Sequence, residues 1–103
     1  MQIRFSQAAH NELNEACDWF ERQQSGLGKR FKNDVRESAL QIARTPLLFP
    51  RERGDVRRYV MTTFSYTLRY VLRGEEVWIM TVSHQHRRPD YWVERINDQA
   101  DSH

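Results

Sequence analysis

Residues 57–92 carry three successive runs of β-branched and aromatic side chains, and this stretch limits the fold more than any other. The runs are interrupted at Thr63-Phe64-Ser65 and at Gly74-Glu75, where turns are expected. Strands are therefore predicted over Val56–Met61, Tyr66–Arg73 and Val77–His84. A two-residue hairpin at Gly74-Glu75 sets Tyr70 opposite Ile79 and Arg69 opposite Met80. One face then carries Tyr66, Leu68, Tyr70, Leu72, Val77 and Ile79; the other carries Thr67, Arg69, Val71, Trp78, Met80, Val82 and His84. The first is the more uniform and is assigned to a helical layer. The second mixes large apolar groups with Arg69 and His84, a surface suited to a partner.

The helices precede the sheet. Ile3 and Phe5 point to one side of a short strand at Gln2–Phe5, and Ser6 stands where a helix N-cap belongs. Ala9, Leu13, Ala16, Cys17 and Phe20 then recur at helical spacing, with Trp19 at the edge of the stripe and Glu12, Glu15, Asp18 and Glu21 on the other face. Ser25-Gly26-Leu27-Gly28 ends this helix and starts a second, whose stripe is Phe31, Val35, Ala39 and Ile42. Thr45-Pro46 stops it, because a residue before proline is pushed out of the α region. A short break between two helices implies an antiparallel hairpin. Residues 46–54 read as a loop, with Leu47, Leu48 and Phe49 folding back as a lid on the core. The expected fold is α+β: an N-terminal strand and helical hairpin on one face of a small antiparallel sheet, in the order β-α-α-β-β-β.

A chain of 103 residues with 39% hydrophobic content supports one core, hence a single domain over residues 1–96 and a flexible acidic tail over 97–103. Cys17 is the lone cysteine, which excludes an intrachain disulfide and a cysteine-based zinc site. No metal or other cofactor is expected. With neither a signal peptide nor a membrane-length apolar run, the expectation is a cytoplasmic protein without membrane contact. Net charge is only +2, yet residues 51–73 hold Arg51, Arg53, Arg57, Arg58, Arg69 and Arg73 against Glu52 and Asp55. Arginine chosen over lysine suits forked recognition of carboxylate or phosphate. The small net charge and the lack of a recognition-helix pattern argue against direct DNA binding.

The exit of the last strand, Ser83-His84-Gln85-His86-Arg87-Arg88-Pro89-Asp90-Tyr91-Trp92, gathers imidazole, guanidinium, phenol and indole groups. RNA cleavage through a 2′-hydroxyl needs a base, a cation on the phosphorane and an acid for the leaving oxygen. Arg58, His84 or His86, Arg87 and Tyr91 are groups of that kind. The plainer alternative is a sheet end plugged by Tyr91 and Trp92, with ordinary histidines.

The strand Phe64-Ser65-Tyr66-Thr67-Leu68-Arg69-Tyr70 and the ending from His84 to Trp92, set after a strand and a helical hairpin, resemble the RelE/ParE superfamily of bacterial toxins. The resemblance covers roughly residues 2–96. It implies a toxin of a type II toxin–antitoxin pair, neutralised by a cognate antitoxin encoded beside it. RelE-like members cut mRNA on the ribosome, and their strand carries an arginine where Thr67 stands here. ParE-like members share the long helical hairpin and act on DNA gyrase without chemistry of their own. The resemblance therefore points to the ParE-like side, and to a protein that is not an enzyme. Two alternatives remain: a RelE-like endoribonuclease using Arg58, His84, Arg87 and Tyr91, and a non-toxic antitoxin-binding module. The residues expected to meet antitoxin or target are Arg57, Arg69, Trp78, Met80, Val82, Arg87, Arg88, Tyr91 and Trp92. The antitoxin is expected on the apolar face around Trp78, Met80 and Val82, and any contact with DNA would pass through it.

Overall fold

The computed structural model describes residues 1–88 and 90–95. The tail expected over 97–103 lies outside the described residues. Strand β1 (Gln2–Phe5) leads into helices α1 (Gln7–Gln23) and α2 (Leu27–Arg44), followed by β2 (Arg51–Arg53), β3 (Val56–Val60), β4 (Tyr66–Arg73) and β5 (Glu76–His84). The sheet order is β1-β5-β4-β3-β2, with β1 parallel to β5 and the other pairs antiparallel. The α+β arrangement is as expected, with two additions. Residues 51–53 are a strand and not part of a loop, and the N-terminal strand makes the sheet mixed. No helix among the described residues is long and apolar enough to cross a membrane.

Local chemistry sets the helix boundaries. The Ser6 hydroxyl accepts from Ala9 N–H at 3.1 Å, and this capping bond opens α1. At the hairpin, Gly26 adopts φ 88°, a left-handed conformation that a side chain would strain. The Glu21 carboxylate accepts from Gly26 N–H at 2.8 Å and from Gly28 N–H at 3.0 Å. Glu21 of α1 thus caps α2, where free N–H groups favour a negative charge. Gly28 also permits the close approach of the helices, because a Cβ there would lie 2.5 Å from the Cys17 carbonyl oxygen. Among the described residues no ion pair bridges the helices along their acidic and basic flanks.

Between the helices and the sheet lies the main core. Ala9, Leu13 and Ala16 of α1 and Phe31, Val35, Ala39 and Ile42 of α2 meet Leu68, Tyr70, Val77, Ile79 and Val82. Full burial of each large side chain contributes roughly 1.5–3 kcal/mol. Phe20, Phe31, Phe64 and Tyr66 form a ring cluster with centroids 4.8–5.8 Å apart. Cys17 sits half-buried beside it, and burial raises its thiol above the ordinary value, as for an inert packing residue. The predicted lid is only one-third right. Phe49 packs against the core and meets Tyr59 edge-on at 4.9 Å, whereas Leu47 and Leu48 stay in water.

One bulge changes the expected faces. From the hairpin outward, Arg73↔Glu76, Leu72↔Val77, Val71↔Trp78 and Tyr70↔Ile79 pair as predicted. Between Arg69 and Tyr70 the register shifts, and Arg69 pairs with Thr81 instead of Met80. Met80 becomes the extra residue of β5, and every residue beyond it changes side. Val82 therefore joins the helical core at 2% exposure, and His84 turns its ring edge to Tyr66. The outer face keeps Thr67, Arg69, Val71, Trp78 and Met80, and gains Thr81 and Ser83.

Candidate functional site

The outer face is not bare. Tyr91, Trp92 and Val93 fold back over it and form a second, smaller cluster with Val56, Val71, Trp78 and Met80. Met80 is 0% exposed and Trp92 2%. The expectation that Met80 and Val82 form an exposed apolar surface is thus corrected twice: the bulge turns Val82 inward, and Trp92 covers Met80. Trp78 remains half-buried at the margin, its indole N–H donating to the Glu76 carboxylate at 3.3 Å. The indole N–H of Trp92 is buried without an acceptor among the described residues.

One carboxylate ties this covering segment to α1. Past Phe5, β1 no longer lines β5, so the β5 edge beyond Ile79 needs other partners. Glu12 of α1 supplies one, its Oε1 accepting from Val82 N–H at 3.0 Å. The same carboxylate accepts from the Tyr91 hydroxyl at 2.6 Å and from the Arg95 guanidinium at 3.0 Å. Arg95 also donates to the Met80 carbonyl at 3.2 Å. Burial, then the bond to Glu12, raise the Tyr91 phenol above the ordinary tyrosine value. Its ring carries Arg87 on one contact and Arg95 on another, with guanidinium carbons 4.1 Å and 5.2 Å from the centroid.

Beside Trp92 an open cleft of about 650 Å³ runs across the far end of the outer face. Thr67, Arg69 and Trp92 line it together with Glu52, Arg53 and Arg58 from β2 and β3, and His84, Gln85 and Arg87 from the β5 exit. Of the residues proposed for RNA cleavage, Arg58, His84 and Arg87 are brought together here. Tyr91 is not among the lining groups, and its proton points to Glu12. His86 N–H donates to His84 Nδ1 at 3.1 Å, and the two rings lie 5.0 Å apart. Among the described residues, no cluster of three or more His, Cys, Asp or Glu is placed to hold a metal ion.

The arginines divide by pleat. Arg57 pairs with Tyr70 on the helical side, and its guanidinium donates to the carbonyls of Leu47 at 3.2 Å and Phe49 at 2.7 Å. It is a loop tether, not the surface contact expected of it. Arg58 and Arg69 share the outer face. Arg69 is committed within the fold: to Glu52 at 2.7 Å, to the Ser83 hydroxyl at 3.1 Å, and over the Trp92 ring at 5.4 Å. Arg58 lies 3.8 Å from the same Glu52 carboxylate. Arg88 is exposed and pairs with Asp90 at 3.1 Å, a surface contact of small energetic weight. Glu12, Glu52 and Arg95 were not singled out as site residues from the sequence. Their partners are far away in the chain, and no local pattern marks them.

The cleft therefore presents Arg53, Arg58 and Arg87 to a partner, with Glu52 neutralising its centre. Among curated proteins none matches the sequence. A solved structure described as the chromosomal ParDE TA (toxin–antitoxin) system from P. aeruginosa contains a similar chain, with TM-score 0.67 and 15% identity. The match covers 82% of this chain and 95% of that one. At that identity the likeness concerns the fold alone. A family model described as ParE toxin of type II toxin-antitoxin system, parDE, matches residues 3–89. That span takes in all but the first residue of β1, the helical hairpin and the rest of the sheet, and the chain belongs to the ParE toxin family of type II toxin–antitoxin systems.

Proposed function

We propose that this toxin arrests growth by binding a macromolecular target, DNA gyrase, and performs no chemistry of its own. The observation that carries this reading is the Tyr91 hydroxyl, whose proton is donated to Glu12 and not to the cleft. A partly buried phenol held in its protonated form is a poor base at neutral pH, and one hydrogen-bonded elsewhere is a poorly placed acid. Glu52 adds to the argument, since its carboxylate engages Arg69 and stands near Arg58, occupying cations that a scissile phosphate would need. Thr67 supplies no cation at the place where RelE-like nucleases carry one. The cognate antitoxin neutralises the toxin by covering the cleft, its acidic side chains meeting Arg53, Arg58 and Arg87.

The convergence of Arg58, His84 and Arg87 favours a second reading, ribosome-dependent mRNA cleavage. Induction in bacteria without the antitoxin separates the two. Gyrase poisoning gives filamentation and double-strand DNA breaks. Rapid loss of translation with codon-phased mRNA cuts would replace the binding reading with the nuclease one.

A further inference from the structure

Leu47 and Leu48 are 69% and 70% exposed, more than any other large apolar side chain among the described residues. The backbone beneath them is nevertheless held at four points. The Tyr70 hydroxyl donates to the Pro46 carbonyl at 2.6 Å, and Arg57 donates to the carbonyls of Leu47 and Phe49 at 3.2 and 2.7 Å. Leu48 N–H donates to the Thr45 carbonyl at 3.1 Å. Pro46 and Pro50 restrict φ at either end, and Phe49 anchors the segment against Tyr59. Here the tethered carbonyls face the domain, and the two side chains are left facing away.

Such a tip is ordered before any partner arrives, so little conformational entropy is lost on binding. Its neighbours in the sequence carry one sign of charge. Arg44 precedes it at the end of α2 and Arg51 follows it in β2, both exposed. No Asp or Glu occurs from Ser38 to Arg51, and Glu52 is drawn to Arg69 on the outer face. None of the residues lining the Arg58–His84–Arg87 cleft belongs to this loop.

We propose that the Leu47–Leu48 tip is the anchor by which the toxin seats on its protein target, entering an apolar socket rimmed by carboxylates. This rests on the binding reading above, and it separates the target contact from the antitoxin contact on the cleft. The test is Leu47→Asp combined with Leu48→Asp, compared with the parent chain for thermal melting, co-purification with the antitoxin encoded beside it, and growth on induction. Both side chains lie in water, so the melt is expected to be unchanged and antitoxin affinity to change by no more than roughly twofold. Growth arrest should be lost. A milder Leu47→Ala, Leu48→Ala chain should show partial arrest. Undiminished arrest by the Asp variant would overturn the proposal, as would lost antitoxin binding with the melt intact. The binding reading is judged separately, by whether the parent chain leaves broken DNA or cut mRNA.

Discussion

The two faces of the sheet are built by different means. The inner face is closed by α1 and α2 through side chains that repeat along each element, such as Phe31, Val35, Ala39 and Ile42 against Leu68, Tyr70 and Ile79. The outer face is closed by the short segment of Tyr91, Trp92 and Val93, latched through one carboxylate on α1. Many independent contacts make the first robust. Shared dependence on Glu12 makes the second easy to open, and the cleft arginines Arg53, Arg58 and Arg87 lie on that side.

The inner face sets the upper limit on what one substitution can do. Phe31→Ala should lower unfolding free energy by about 3–5 kcal/mol, measured by denaturant titration. On the outer side, Glu12→Ala removes the acceptor shared by Val82 N–H, the Tyr91 hydroxyl and the Arg95 guanidinium, leaving Arg95 only the Met80 carbonyl. A loss of about 2–3 kcal/mol follows, and hydrogen exchange should quicken at Val82 before it does at the inner strand positions. Equal loss of protection at Leu68 and Tyr70 would erase the distinction between the faces. Tyr91→Phe removes the bond to Glu12 and leaves the others to that carboxylate, and should cost about 1 kcal/mol.

The pH response sharpens the same contrast. Tyr66 and Tyr70 toward the helices and Tyr91 in the outer latch are all raised by burial. Between the ordinary tyrosine pKa and these raised values the folded chain binds more protons than the unfolded one, so stability falls as pH rises. Tyr91→Phe should remove part of that alkaline limb, read from melting temperature against pH. The smallest effect is expected at β1, where Arg4 pairs with Glu76 and lowers its carboxyl through their side-chain bond. That contribution is present above the ordinary glutamate value and lost as pH falls through the lowered one. Arg4→Gln should shrink the acid limb only slightly, since the pair stands in solvent.

How much of this was legible follows the same division. Helical periodicity and strand alternation placed the inner core, because burial on one face writes itself into every third or fourth and every second residue. Alternation also led to the wrong side for Val82 and His84, since nothing local marks Met80 as a bulge. Arg57 and Arg58 look alike as neighbours, and only the β3–β4 register makes one a tether and the other a cleft residue. Arg51-Glu52-Arg53 has no apolar alternation to announce a strand. Glu12 read as one acid on a solvated helix face, because its partners Val82 and Arg95 are 70 and 83 positions away.

The central claim is that the outer face grips and does not cut, because Tyr91 belongs to the latch. Its most direct test is growth on induction of Tyr91→Phe without antitoxin, with antitoxin binding measured on the same chain. Retained arrest with DNA breaks is the predicted result. Abolished arrest with antitoxin binding intact would contradict it and return Tyr91 to the chemistry of the cleft.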